Sequence, residues 1–504
     1  MKKIILKYIF GLGLVATSLL SCTDLNEKVY SKTSPEGLLG TEEGLLKNAG
    51  RAYVELQGYP EEQNIWSLTQ AASDEMAIPV RDDGGWTDQG RWQQLQEHKV
   101  DPTNRVLTNS WNYVSRGVAS CNEIIHITES SPIEFGGKDK ILAEVKVLRA
   151  LFYFWFTDAW GNVPFSTKYT DVSLPEQKDR AFIADFIEKE IKDNIDLLDD
   201  RANTETYGRV TKSMANMLLA KLYMNWEVWV GTPRYAEAIA CCDEIIKTSN
   251  YKIEDDYFAN FKIENAGSGE NIFVIPYDKV LTKDKFYWFT LSLNDASRAT
   301  FGFVGSMWDG FVCQPDFFKK FAENDKRRNS FLFGQQYDKA GKPIVVNGEN
   351  FIYTPTVANF GSRGKWEGAR INKYEYQEAL EYGYTNMAND YALFRYADVL
   401  YTKMEALWRK DGAVGAFLAD PELQKIRTRA GLPVYTAADI TAEELLNEFG
   451  REFAWEGRRR QDLIRFNKWG EAWWAKPVSD ANKRLFPLPR TALDANTNLK
   501  QNPL

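Results

Sequence analysis

The chain has 504 residues, with 62 Lys and Arg against 70 Asp and Glu; a formal charge of -8 supplies no basic face for phosphate neutralisation and excludes a nucleic-acid binder. Its 29 Phe, 16 Trp and 24 Tyr beside a mean hydropathy of -0.43 exclude a disordered chain and describe a polar-surfaced globular protein rich in flat side chains. His98 and His126 are the only histidines, too few for a mechanism that needs a pair plus a third ligand or base.

In chain order, Lys2 and Lys3 precede an apolar stretch from Ile4 to Leu20, the layout of an export signal over 1–21. Leu19, Leu20, Ser21 and Cys22 then read as a bacterial lipobox, in which the Cys22 thiol is acylated and becomes the new N-terminus. Residues 22–35 are a polar, lipidated tether, and no later stretch approaches the ~20 apolar residues of a spanning helix. The expected protein is therefore anchored to a membrane, not embedded in it. The pattern Gly11, Gly13 lies inside the export signal, where no strand precedes it, so it is no nucleotide loop. With no metal or nucleotide motif elsewhere, no cofactor is expected. Cys121, Cys241, Cys242 and Cys313 lack framework spacing and are expected as buried free thiols.

Helical periodicity is expected over 36–57, 108–130, 138–159, 180–200, 388–410 and 441–468. The pattern is plainest at Ala215, Leu218, Leu219, Leu222, Tyr223 and Trp226, with Thr211 placed to cap the start. After the break at Gly231 and Pro233, Tyr235, Ala238, Cys242 and Ile245 form the inner stripe of a second helix, and the two together resemble one tetratricopeptide unit. Such pairs cannot bury one face alone and must stack. The run 148–156 is apolar nearly all round, so Trp155 and its neighbours are expected as core, with the helix ending near Gly161 and Pro164. Residues 58–107 and 251–386 show weak helical period and short strand-like runs such as 272–275; these are the loops a helical scaffold presents. The fold class is therefore mainly α, tetratricopeptide-like helix pairs in a superhelical scaffold with irregular insertions, divided into an N-terminal part (36–250) and a C-terminal part (251–504).

Four segments carry a family resemblance: AEVKVLRA running into WGNVP (143–164), IRTRAGLP (426–433), REFAWEGRRRQDL (451–463), and FPLP with NLKQNP (486–503). In this order the chain resembles the SusD/RagB family of outer-membrane lipoproteins. The resemblance implies a surface-exposed glycan-binding protein that sits on a SusC-like TonB-dependent transporter, delivers oligo- or polysaccharide to it and does not cleave. Beside that, Glu452, Glu456, Arg458, Arg459 and Asp462 fall at helical spacings that allow ion pairs, so Arg458, Arg459 and Arg460 are expected as internal bracing.

A neutral oligosaccharide offers C–H faces and hydroxyls, so its site needs exposed aromatic planes and a few fixed polar groups. The first candidate cluster is Arg81, Trp86, Asp88, Arg91 and Trp92 among turn-forming Gly and Asp. The second is Tyr287 and Trp288 leading to Trp308. Family glycan contacts commonly come from these two regions, and Trp86 and Trp308 match in position. The acidic total disfavours anionic glycans, unless a local Arg81 and Arg91 patch overrides it. Competing classes are an all-helical glycoside hydrolase, which needs two carboxylates about 5 to 10 Å apart, and a peptide- or protein-binding member of the same family.

Overall fold

The computed structural model describes residues 39–202, 204–282, 285–361, 364–377 and 386–503. The expected export signal, Cys22 and the tether lie outside them. Among the described residues no helix is long and apolar enough to cross a membrane.

Helix α1 (Glu42–Leu56) starts at Thr41, whose side chain accepts from Gly44 N. Two short helices follow inside the expected 58–107 insertion, α2 (Ile65–Ala71) and α3 (Arg91–Gln96). They escape a periodicity reading because each spans at most two turns, and α2 is buried all round. The long elements are α4 (Arg105–Ser130), α5 (Lys138–Trp160), α6 (Arg180–Asn194), α7 (Lys212–Val230) and α8 (Tyr235–Lys247). Asn104, Asp179 and Thr211 cap α4, α6 and α7 by accepting from backbone N–H groups of the first turn. Each long helix packs on the next in chain order. The α4–α5 crossing depends on Gly117: a Cβ there would stand 2.3 Å from the Phe152 ring. All of 148–156 is buried, Trp155 at 7% exposed and stacked 4.8 Å from Tyr59, as expected of core.

The region 251–386 is irregular, as its composition implies, and holds α9 (Trp288–Ser292), a single turn. Two expectations about the C-terminal part need correction. The stretch 388–410 is not one helix: Tyr391–Arg395 is a strand, and only Tyr396–Asp411 is helical (α10). The stretch 441–468 is broken into α12 (Ala442–Glu452) and α13 (Arg459–Arg465), with α11 (Pro421–Arg429) before them. Trp455 and Gly457 take positive φ in the break, a conformation no helix tolerates.

The strands are short and antiparallel. β1 (Met76–Ala77) pairs with β5 (Val312–Cys313), β2 (Val163–Pro164) with β3 (Gln177–Lys178), and β4 (Asn271–Ile275) with β6 (Tyr391–Arg395). The β4–β6 register, Tyr391 opposite Ile275 and Ala392 opposite Val274, leads the chain into α10, which packs on α8. One hydrophobic core draws side chains from both parts of the chain. Cys121, Cys242 and Cys313 are buried and Cys241 half-buried, all as free thiols.

Candidate functional site: an aromatic face built from two loops

The two expected clusters meet, though more than two hundred residues separate them. Trp86 packs at 6.4 Å between ring centroids from Trp308, and Trp308 at 6.0 Å from Tyr287, giving a row of three half-buried rings. Successive rings are tilted by 52° and 68°, so the three do not share one plane. The Trp86 indole N–H donates to Trp308 O, locking one loop to the other. Gly310 makes that approach possible, since a Cβ there would lie 2.2 Å from the Trp86 ring. Trp86 and Asp309 both sit at positive φ, +62° and +56°. Strain of this kind persists only where surrounding contacts hold it, and here they are plentiful.

Beneath the row the base is buried. Trp92 is 2% exposed and packs on Trp86 at 6.3 Å and on Phe311 at 5.3 Å. Trp288 is 1% exposed, stacked 4.3 Å from Trp66, with its N–H donating to Pro60 O. Trp92 and Trp288 are therefore not platforms but the core behind them, a correction to the expectation that they contact ligand. Tyr287 and Trp288 are adjacent, yet only Tyr287 reaches the surface, because α9 begins at Trp288 and turns that ring inward.

Arg81 needs the same correction. Its side chain is buried and donates to the carbonyls of Asp309, Gly310 and Glu367, binding the root of the first loop to the second. Burial pushes its pKa down to about 9, with Arg370 adding to the effect and the Asp309 carboxylate opposing it. The Asp309 carboxylate is ion-paired to Arg370 at 2.7 Å and accepts from Asn294 Nδ2 at 3.0 Å. Asp88 accepts from Arg91 at 2.8 Å and from the Trp92 indole at 2.9 Å, so it fixes the turn and leaves Arg91 neutralised. Lys285 pairs with Glu61 at 2.7 Å beside Tyr287. Asp82 and Asp83 are exposed on the turn before Trp86.

Residues 57–64, which the sequence does not single out, border the Tyr287 side through Pro60 and Glu61. Burial raises the Glu62 pKa, a Gln63 hydrogen bond opposes the shift, and Asp88 and Arg91 act on it from across the gap. Only the count of polar residues in that loop signals it. Among the described residues no group of His, Cys, Asp and Glu is arranged to hold a metal ion. His98 is buried and stacked 3.9 Å on Trp469. Its Nε2 faces Ala72 O and so carries the proton, while burial holds its pKa well below the ordinary value.

The architecture is that of a tetratricopeptide-like helical scaffold that displays a loop-built aromatic face. Two family models match it in sequence, "SusD family" over 309–480 and "Starch-binding associating with outer membrane" over 45–224. The chain belongs to the SusD/RagB family. It is 26% identical to the starch-binding protein SusD of Bacteroides thetaiotaomicron over 411 residues, 71% of this chain and 72% of SusD. Among solved structures it is similar to surface glycan-binding protein A of the same organism in complex with laminarihexaose, with a TM-score of 0.72, 22% identity, and coverage of 92% of this chain and 99% of that one. It is likewise similar to a laminarin-binding SusD-like protein, with a TM-score of 0.75, 21% identity and the same coverage.

Proposed function

We propose that this protein binds a neutral oligo- or polysaccharide on the Trp86–Trp308–Tyr287 face and hands it uncleaved to a partner TonB-dependent transporter. It does so from the outer membrane, to which acylated Cys22 anchors it. The observation that carries the reading is the meeting of Trp86 and Trp308 as half-buried rings, 6.4 Å apart, on a base of buried Trp and Arg side chains. Sugar rings stack on such planes, and a rigid base spares the ordering cost of binding. The relatives named for starch, glycan and laminarin binding support the same ligand class.

Charge supports a neutral ligand. The cationic patch that would have favoured an anionic glycan is dismantled: Arg81 is spent on backbone carbonyls and Arg91 on Asp88, while Asp82 and Asp83 face solvent. Binding without cleavage is supported by the two acids that sit where the loops join. Asp88 and Asp309 are both committed to fixed partners, a poor setting for a proton donor and a nucleophile.

Affinity electrophoresis against neutral and uronic-acid polysaccharides tests the reading, with retardation expected only in neutral gels. Reducing ends followed over many hours with the best ligand should stay at the buffer level. Retardation by uronic-acid polymers alone, or steady release of product, would overturn it.

A further inference from the structure

Between α4, α5 and the arch that runs from β2 to β3 lies a cleft of about 610 Å3, which shares no residue with the Trp86–Trp308 face. Its volume falls within the ~300 to 1,000 Å3 of small-ligand sites. The floor is one stripe of α4, Ser115, Val118, Ala119 and Asn122, at helical spacing. Both feet of the arch are fixed by hydrogen bonds. Asn122 Nδ2 donates to Ser166 O at 2.9 Å and the Tyr153 hydroxyl accepts from Ser166 N at 3.0 Å. At the other foot, Asn498 and Asn496 of the C-terminal tail donate to Leu174 O and Pro175 O, each at 2.9 Å.

The lining has the chemistry of sugar recognition. Tyr169 is 51% exposed and stacks on His126, with ring centroids 5.6 Å apart. Tyr169 and Phe165 both line the cleft. Charge is balanced, since Lys178 pairs with Glu176 at 2.6 Å. An exposed aromatic ring beside balanced charges suits an uncharged ligand with C–H faces and hydroxyls better than an anion or an ammonium group.

We propose that this cleft is a second carbohydrate site, taking a short neutral oligosaccharide or a chain end. It rests on the glycan-binding reading above and adds avidity to it, because two sites on one polysaccharide bind more tightly than either alone. The test titrates laminarihexaose, maltohexaose and cellohexaose by calorimetry and saturation-transfer NMR. The proteins are the wild type, a Trp86→Ala/Trp308→Ala variant, and that variant carrying Ala119→Trp or Tyr169→Ala. Ala119 is exposed on α4, so Ala119→Trp fills the cleft without removing a contact, and melting curves check that both additions leave the fold intact. The expected result is a residual, weaker binding event in the Trp86→Ala/Trp308→Ala variant that either addition reduces by about tenfold, on ~1.4 kcal/mol per decade. A wild type that binds while the Trp86→Ala/Trp308→Ala variant binds nothing overturns the second site and leaves the first standing. Residual binding unmoved by Ala119→Trp and Tyr169→Ala overturns it too. A wild type that binds none of the three sugars defeats the glycan reading itself, and this proposal with it.

Discussion

At the scale of single residues, a Trp in this chain is either base or platform, and the two respond oppositely to truncation. Trp86→Ala and Trp308→Ala each remove a half-buried ring from the face. Each is expected to weaken glycan binding by tenfold or more, about 1.4 kcal/mol, and to lower the thermal midpoint far less than a core truncation does. Trp155→Ala cuts into the core against Tyr59 and should cost roughly 3 to 5 kcal/mol of stability. Calorimetric titration beside melting curves separates the two behaviours; early melting with normal affinity in Trp86→Ala would move that ring to the core. A second residue-scale expectation concerns Glu75, just before β1. Burial pushes its carboxyl up to about 8, against the pull of the nearby Arg459 guanidinium and a hydrogen bond from Trp455 N. An acid raised in the folded state stays protonated there while the unfolded chain releases its proton above ~4.5. Stability therefore falls as pH rises from ~4.5 to about 8. Glu75→Gln should remove this slope, and the difference in melting temperature between variant and wild type should widen in the variant's favour from pH 5 to 8. A constant difference would show that Glu75 ionises normally. Both expectations depend on orientations that local sequence does not encode. Tyr287 and Trp288 are neighbours of similar character, and only the direction in which α9 starts decides which is buried. Arg81 looks like a surface cation until its carbonyl partners, all beyond residue 300, are in place.

At the scale of elements, local information was legible and distant pairing was not. The stripe of α8, the Thr211 cap and the all-apolar face of α5 follow from spacing alone, because their contacts are set by helical geometry. Residues 391–394 form an unbroken apolar run, which suits a buried strand or a buried helix equally. The choice is made by β4, over a hundred residues earlier. The C-terminal motif shows both cases. Arg458 pairs with Asp462 at 2.9 Å one turn away, as helical spacing implies, while Arg459 reaches Asp74 at 2.7 Å and Arg460 reaches Asp158 at 2.8 Å. These pairs fasten the α12–α13 break to α5 and to the segment that enters β1, the strand beneath the binding loops. Removing one partner of a buried pair costs ~3 to 5 kcal/mol, whereas replacing both by apolar groups is often neutral. Arg459→Ala is therefore expected to lose stability of that order, and Arg459→Met with Asp74→Leu to recover most of it. Urea unfolding of the three proteins measures this. Equal loss in the single and double variants would mean that the pair itself, not the orphaned Asp74 charge, carries the effect.

At the scale of the whole molecule, the ionic hub, the helix array and the aromatic face are joined through one hydrophobic core. Arg395 bonds to Glu270, Glu452 and Glu456 at 2.8, 3.2 and 2.7 Å, and Arg327 to Asp325, Glu448 and Glu452 at 2.9, 2.8 and 3.2 Å, all of them buried. Burial raises the Glu270 carboxyl, but Arg429 and Arg395 outweigh it and hold the group down to about 2. Its contribution to stability is thus complete above ~4.5 and lost only as pH falls toward 2. On the proposed function, the work of residues 22–35 is placement rather than folding. Acylated chains anchor a protein by burying CH2 groups at ~0.8 kcal/mol each. Within the first 35 residues Cys22 is the only thiol that can carry them. Cys22→Ala is therefore expected to shift the protein from the membrane fraction to the soluble periplasmic or secreted fraction. Its melting temperature and its affinity for soluble oligosaccharide should be unchanged, while growth of the cells on the bound polysaccharide suffers. Retention of the Cys22→Ala protein in the outer-membrane fraction, at wild-type level and after a high-salt wash, would show that the anchor lies elsewhere.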